Sequence, residues 1–351
     1  MTEKWPKEKA GKWYDQQPWL VGCNFVPSTA VNQLEMWQPE TFDPQTIDRE
    51  LGMAAGLGMN SIRVYLHDLA WFADPEGFFK RVDTFLGLAD KHGINVMLVI
   101  FDDCWQPVPN PGKQPDPIPG RHNHFWLNSP GQKAAVDPAQ EERLKKYVQE
   151  TVKTFATDSR ILLWDVYNEL GNVFLLTLGK PWFRKIPELL FRYITFRYIR
   201  IPTLPLFRKT VTWVREAGPS QPITAGVYID HPNLNRELIE VSDVVSFHCY
   251  KDLHQLEKLV NKLEVHGRPL LCTEYLNRPA DCCFENYLPV FKKKKIGCYN
   301  WGLVSGKTQT IFGWEDRGGG IEPAVWFHDI LRKDGTPFNS KEAAYIREMT
   351  K

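Results

Sequence analysis

Two glutamates stand where apolar runs of the sequence end. Glu169 closes the run ILLWDVYNE directly after Asn168, and Glu274 lies at the end of RPLLCTEY. Charged groups at the rim of a core are costly to desolvate, so a chemical role is the better explanation for them. Glycoside hydrolysis uses two carboxyl groups, one to protonate the departing oxygen and one to attack the anomeric carbon or to activate water. A separation of about 5 Å would indicate retention of configuration and about 6.5 Å or more would indicate inversion.

Further polar and aromatic side chains share this position at the ends of apolar runs. They are Arg63 in SIRVY, Asp102, Asp103 and Trp105 in FDDCW, His248 and Tyr250 in SFHCY, and Trp301 in YNWG. Each one alone is more easily explained as a structural residue. Their shared position predicts one functional surface, because active sites of α/β barrels lie at the C-terminal ends of the strands.

The elements that would position these groups are eight short apolar runs that alternate with helical patterns. The runs are WLVGCNF, NSIRVYL, INVMLVIFDD, ILLWDVYNE, PITAGVY, DVVSFHCY, RPLLCTEY and IGCYNWGL. Helices are predicted over 46–57, 77–92, 141–156, 253–266 and 284–293. This alternation predicts an α/β fold, a single (β/α)8 TIM barrel over residues 1–351 with long βα loops. Neither GxGxxG after the first strand nor GxxxxGK[ST] occurs, so dinucleotide and P-loop sites lose their usual support.

The composition narrows the class of ligand. The 351 residues carry 43 basic and 42 acidic side chains, a balance that argues against nucleic acid as a partner. Aromatic residues make up 13% of the chain, including 13 Trp, which suits a surface that stacks on sugar rings. The seven cysteines have neither a disulfide framework nor metal-ligand spacing. We therefore expect a carbohydrate substrate and no cofactor or metal.

The N-terminal residues contain no apolar region of the kind found in signal peptides. This predicts a cytoplasmic protein if the sequence is complete, and a periplasmic or secreted one if a leader was removed. No uninterrupted apolar run approaches the roughly 18 residues of a membrane span.

The order of these motifs resembles a known family. WDVYNE followed by LLCTEY, with IRVYL upstream, SFHCY between them and NWG after them, is similar to the retaining glycoside hydrolases of clan A, closest to the cellulase and mannanase family 5. The resemblance covers about residues 19–301 and implies that Glu169 is the general acid and base and Glu274 the nucleophile. It also implies a protonated Glu169 before attack and an ionised Glu274.

The same resemblance implies roles for the neighbouring side chains. Arg63 would keep Glu274 ionised, and Asn168 would bind the sugar 2-hydroxyl. Tyr250 would orient Glu274, and His248 would lie beside the sugar or the acid. Trp301 would form the floor under the sugar at the scissile bond.

Where many family members have a histidine after the third strand, this sequence has DDCW, which leaves the individual roles of Asp102 and Asp103 open. One is expected to bind a sugar hydroxyl and the other to be a buried, paired carboxylate. Two long loops follow strands one and three, and we expect Trp37 in the first and Trp105 in the second to contact substrate.

Residues 173–215 depart from the simple pattern. They hold nine basic residues, one acidic residue and many aromatics, and we interpret them as an insertion after strand four. A basic aromatic segment can cover its own barrel, contact a second subunit to form a homo-oligomer, or lie on an anionic membrane surface.

Two alternative functions remain at this point. A barrel that binds carbohydrate without catalysis would fit the aromatic content, although it would not need both glutamates. A metal-dependent hydrolase could use His122 and His124, but they lie in a Pro-rich loop rather than at strand ends.

Overall fold

The computed structural model describes residues 3–172, 201–316 and 318–351. Its sheet contains the eight predicted strands, all of which are confirmed. They are β1 Val21–Asn24, β2 Ser61–Tyr65, β3 Asn95–Asp102, β4 Ile161–Asn168, β5 Ile223–Thr224, β6 Val245–His248, β7 Leu270–Tyr275 and β8 Gly297–Trp301. Almost every strand residue is buried, as expected for parallel strands covered on both faces.

The sheet closes into a barrel. The strand order is β5-β4-β3-β2-β1-β8-β7-β6, and the first and last strands of the chain pair in parallel. Between β5 and β6 the ladder is reduced to one bridge, in which Val227 accepts a hydrogen bond from the His248 amide (2.8 Å) and donates one to Ser246 (2.9 Å). The prediction of a (β/α)8 TIM barrel is confirmed.

Helices connect the strands, and the five predicted ones are present with ends within two residues of the predicted ends. The described helices are α1 Lys7–Asp15, α2 Gln33–Trp37, α3 Pro44–Gly56, α4 Asp68–Ala73, α5 Pro75–Lys91, α6 Gln132–Val136, α7 Glu141–Thr154, α8 Leu204–Ala217, α9 Pro232–Val241, α10 Leu253–Glu264, α11 Phe284–Lys293 and α12 Ser340–Met349. Several begin at a proline after a capping side chain, as Asp43 caps α3 and Asp74 caps α5. None of the helices in the described ranges is long and apolar enough to cross a membrane.

The C-terminal part of the predicted insertion is one of the barrel's own helices. In α8, Phe207 and Trp213 are buried, and Arg215 bonds to Asp243 at 2.7 and 2.8 Å. An amphipathic helix that buries its apolar side on the barrel explains the pattern of residues 204–215, and neither a second subunit nor a membrane is needed to explain it. Residues 173–200 lie outside the described residues, so contact with a second subunit or a membrane stays a prediction.

One glycine in β1 is required by close packing between strands. A Cβ atom at Gly22 would lie 1.8 Å from the Ser61 carbonyl oxygen of β2. Because backbone must shift to relieve this overlap, we expect Gly22→Ala to lower the free energy of unfolding by about 1–3 kcal/mol. The matched control is Gly11→Ala in α1, where a Cβ atom meets nothing within 4 Å and alanine should stabilise by up to about 1 kcal/mol. Urea denaturation of both variants checks this, and equal effects would contradict it.

Candidate active site

The two glutamates meet at the C-terminal end of the barrel. Glu169 follows β4 directly and Glu274 lies near the end of β7. One oxygen of each carboxylate and one ring nitrogen of His248 lie within 4.8 Å of one another. His248 Nδ1 is 2.9 Å from Glu169 Oε1 and 3.5 Å from Glu274 Oε2. The strand ends therefore bring both carboxyl groups into one small volume.

Three donors hold the Glu274 carboxylate. Arg63 Nη1 and the Tyr65 hydroxyl each donate to Oε1 at 2.8 Å, and the Tyr250 hydroxyl donates to Oε2 at 2.8 Å. These contacts agree with the positions expected for Arg63 and Tyr250, whereas Tyr65 was missed. The position of Tyr65 at the end of β2 could have identified it as a site residue from the sequence. The three bonds fix the plane in which the carboxylate faces the site.

Arg63 is buried in the barrel and joins the two glutamate strands. Its Nε and Nη2 atoms donate to Asp165 Oδ2 at 3.0 and 2.8 Å, and Nη2 also donates to Asn168 Oδ1 at 2.7 Å. Burial raises the pKa of Asp165, while the positive charge of Arg63 opposes that rise. Asp165 was missed by the sequence analysis, although a charged residue inside the apolar run ILLWDVYN signals a buried ionic partner.

Glu169 has a different environment. Its carboxylate accepts hydrogen bonds from His248 Nδ1, from the Cys104 thiol at 3.3 Å and from the Asn172 amide. Burial raises the pKa of Glu169, but these donors outweigh it, and the net direction is a lowered pKa. In the free site the surrounding donors thus favour the ionised form of Glu169. The expectation that Glu169 carries a proton before attack stays a prediction about the enzyme with substrate bound.

Asp102 orients Asn168 rather than facing the cleft. Its Oδ1 atom accepts from Asn168 Nδ2 at 2.9 Å, and its Oδ2 atom accepts from Trp126 Nε1 at 2.6 Å. Burial raises the pKa of Asp102 to about 7, although these hydrogen bonds act in the opposite direction. The Asn168 oxygen accepts from Arg63 and the Asn168 nitrogen donates to Asp102, so both ends of the amide are fixed.

Asp103 holds the chain after β4. It accepts from the Tyr167 hydroxyl at 2.8 Å, the Gly171 amide at 2.6 Å and the Thr203 hydroxyl at 2.6 Å. Asp102 and Asp103 are thus both buried and occupied by donors of the protein. This corrects the expectation that one of them binds a sugar hydroxyl. Adjacent carboxylates in one sequence run do not reveal which way each side chain turns.

Trp37 is a core residue and not a wall of the cleft. It is fully buried against Phe78 and Phe85, with ring centroids at 6.0 and 5.6 Å, and its indole nitrogen donates to the Tyr65 carbonyl oxygen at 2.7 Å. The predicted substrate contact is therefore wrong, because α2 turns this side chain inward beneath β2. Its hydrogen bond supports the strand end that carries Tyr65.

Other aromatic side chains do reach the mouth of the barrel. Trp301 is half-buried and packs edge-on against Tyr65 (5.8 Å) and Trp126 (5.5 Å). Trp105 is 37% exposed and Trp314 is 41% exposed. Trp314 lies 5.2 Å from the Tyr250 ring and was missed, because nothing in the local sequence separates it from a loop tryptophan far from the site.

Glu169, His248 and Glu274 form the one group of three or more His, Cys, Asp or Glu side chains in the described ranges that is close enough to share a cation. His122 and His124 do not belong to such a group. His122 Nδ1 bonds to the Phe312 carbonyl oxygen at 2.7 Å, and burial lowers the pKa of His122 to about 4. His122 thus has a structural environment.

Comparisons with known proteins identify the family and the fold. The model of the family "Cellulase (glycosyl hydrolase family 5)" matches residues 23–306. No curated protein matches the chain by sequence. Among solved structures, a GH5_18 protein from Streptomyces cattleya in complex with GlcNAc has a TM-score of 0.61 at 13% identity, over 94% of this chain and 79% of that one.

Two further structures share the fold. The endo-beta-1,4-mannanase from Thermotoga petrophila has a TM-score of 0.57 at 15% identity, over 94% of this chain and 76% of that one. The exo-beta-1,4-mannosidase from Opitutaceae bacterium strain TAV5 has a TM-score of 0.59 at 16% identity, over 94% and 58%. With a family match over most of the barrel and two carboxylates in its mouth, the protein is a glycosidase that belongs to glycosyl hydrolase family 5.

Proposed function

We propose that the enzyme hydrolyses β-linked glycosides with retention of configuration, by double displacement through a glycosyl-enzyme intermediate. The observation that carries the proposal is the approach of one oxygen of each glutamate to within 4.8 Å. Retaining glycosidases have carboxyl groups about 5–5.5 Å apart, whereas inverting enzymes need a wider gap for a water molecule.

In the first step, a Glu274 oxygen attacks the anomeric carbon while Glu169 gives its proton to the glycosidic oxygen. The bond from the anomeric carbon to that oxygen breaks, and the alcohol departs. In the second step, ionised Glu169 takes a proton from water, the water oxygen attacks the anomeric carbon, and the Glu274 ester bond breaks. Arg63, Tyr65 and Tyr250 hold Glu274 during both steps, because their hydrogen bonds fix its two oxygens.

The Asn168 amide can bind the 2-hydroxyl of the reacting sugar. Its nitrogen donates to Asp102 at 2.9 Å and more weakly to the Cys104 sulfur at 3.4 Å. Because sulfur is a weak acceptor, a sugar hydroxyl can replace that second contact at little cost. Trp301, half-buried between Tyr65 and Trp126, offers its free face as the floor under the ring.

The Glu169→Gln variant tests the acid role. An amide cannot donate the proton that a poor leaving group needs, so hydrolysis of alkyl glycosides or oligosaccharides should fall by about 10²–10⁴-fold. The glycosylation step of a dinitrophenyl β-glycoside should be largely spared, because that leaving group departs without protonation. Burst kinetics on both substrate classes separate the steps, and equal losses would contradict the assignment.

The Cys104 thiol should tune the pH dependence. Burial raises the pKa of Cys104, so the group is a neutral S–H donor to the Glu169 carboxylate. Removing a donor to an ionised carboxylate raises the pKa of that carboxyl group. Because the acid must carry its proton, Cys104→Ala should move the alkaline limb of the kcat/KM profile to higher pH. Cys283→Ala, a half-buried thiol beyond β7, is the control and should leave the profile in place. An unchanged profile in Cys104→Ala would count against this coupling.

A further inference from the structure

Loops from distant strands meet over one half of the barrel mouth. In the order of the sheet, β3 and β8 are separated by β2 and β1. Any contact between the β3 loop and the β8 loop must therefore cross above the C-terminal ends of those two strands. We use the name arch for residues 118–123 of the β3 loop together with residues 308–313 of the β8 loop.

The arch is joined by hydrogen bonds that involve the backbone of both loops. The Asn123 amide donates to the Thr308 carbonyl oxygen at 2.7 Å, and both residues are buried. The Gln309 side chain accepts from the Gly120 amide at 2.9 Å and donates to the Ile118 carbonyl oxygen at 2.6 Å. The two loops of the arch are therefore joined by several hydrogen bonds and by buried residues.

The β1 loop bonds to residues that lie next to the arch in both of its loops. Lys307 Nζ lies 2.6 Å from Glu35 Oε1, and the Lys307 amide donates to the Ser28 carbonyl oxygen at 3.0 Å. Asn32 Nδ2 donates to Gln114 Oε1 at 2.9 Å. Three loops thus support one another on the side of the mouth formed by β8, β1, β2 and β3.

The proposed function gives a direction to the sugar in the site. Its anomeric carbon must lie near both Glu169 at the end of β4 and Glu274 on β7, which proton transfer and attack require. In the barrel β4, β5, β6 and β7 form one half of the mouth and β8, β1, β2 and β3 the other, and C4 lies at the end of the pyranose ring opposite the anomeric carbon. The C4 hydroxyl therefore points toward the half of the mouth that the arch covers. A small cavity there is lined by Val26, Tyr65, Trp126, Trp301 and Thr308, the last a residue of the arch itself.

We propose that the arch closes the site beyond one sugar unit, so that the enzyme removes single sugars from the non-reducing ends of β-linked glycosides. This inference rests on the proposed function. A second glycone unit attached at C4 would have to occupy the space filled by the buried arch residues. The substrate class is consequently glycosides whose reacting sugar is terminal, with the aglycone leaving on the Glu169 side.

The test compares aryl β-monosides of glucose and mannose with the matching aryl β-1,4-biosides. We expect monosides to release the aryl alcohol without a lag. Biosides should release it at less than about a tenth of that initial rate, since seating a disaccharide would break buried hydrogen bonds of the arch. The first products from a bioside should be a monosaccharide and an aryl monoside. Direct release of intact disaccharide, at a rate equal to or above that of the monoside, would overturn the proposal.

A variant outside the catalytic machinery links the result to the arch. Gln309→Ala removes the side chain that bonds both loops and should raise the bioside-to-monoside rate ratio about fivefold or more. The control is Gln149→Ala. Gln149 is half-buried on α7, its side chain donates an exposed hydrogen bond to Glu216, and its loss should leave the ratio unchanged. The same ratio in both variants would contradict the role of the arch. Failure of the proposed function would look different, because Glu274→Ala would then still hydrolyse both substrates.

Discussion

Replacing Glu274 with alanine should reduce hydrolysis by about four to six orders of magnitude, as loss of a covalent nucleophile does. The variant should stay folded, because Arg63 keeps its two bonds to Asp165 when the Glu274 carboxylate is gone. The measurement is kcat/KM on an activated aryl β-glycoside, with circular dichroism to establish the fold. Glu285→Ala, at an exposed position on α11, is the matched control and should retain full activity.

Added azide makes this test specific for a nucleophile. The small cavity left by the carboxylate can admit azide, which attacks the anomeric carbon from the same face as Glu274 and restores turnover. The product should be the α-glycosyl azide, because only one inversion then takes place. A β-configured product, or no effect of the Glu274→Ala change on the rate, would reject Glu274 as the nucleophile.

Replacing Arg63 with methionine should have the largest effect on stability. Arg63 is completely buried, with Asp165 and Glu274 as its ionic partners at 2.8 Å. Removing one member of a buried ionic network leaves the others uncompensated, and we expect a loss of about 3–5 kcal/mol in the free energy of unfolding. Arg208→Met is the control, because its ion pair with Glu237 is largely exposed and should contribute at most about 1 kcal/mol.

The Arg63→Met loss should depend on pH in a defined direction. Burial raises the pKa of Asp165, and without Arg63 nothing of comparable strength opposes that rise. A carboxyl group whose pKa is raised in the folded state takes up a proton there first, so its destabilising effect grows as pH rises through that range. The difference from the unchanged protein should therefore be largest near pH 7 and shrink toward about pH 4, the ordinary carboxyl range. Denaturation curves across this interval check it, and a pH-independent difference would contradict it.

Much of the site could be predicted from the sequence, because a parallel barrel brings the C-terminal ends of all its strands close together. Each apolar run predicts a strand, and in a closed parallel barrel every C-terminal strand end points to the same mouth. Glu169 and Glu274, 105 positions apart, therefore had to approach one another once the eight runs were recognised. Tyr250 and Arg63 could be placed for the same reason, and the structure has both in contact with Glu274.

Side-chain direction within the loops could not be obtained in this way. Trp37 was expected at the cleft and lies in the core, and Asp102 and Asp103 turn toward donors of the protein instead of solvent. The lowered pKa of Glu169 depends on donors from His248 and Cys104, which come from β6 and the β3 loop. The periodicity of a single segment gives no information about these hydrogen-bond donors, because they reach Glu169 from other segments of the chain.

The sequence by itself determined the barrel, the two carboxylates and the polar strand ends, because these depend on residue type and on a repeating pattern of burial. Only the tertiary structure decided how the mouth is shaped. The Asn123–Thr308 bond joins residues that no sequence pattern connects, and Gln309 can bridge to Gly120 only after both loops have folded over β1 and β2. Loop contacts of this kind depend on the relative positions of strands that have already assembled. The sequence could therefore predict glycoside hydrolysis, but it could not predict the shape of the mouth.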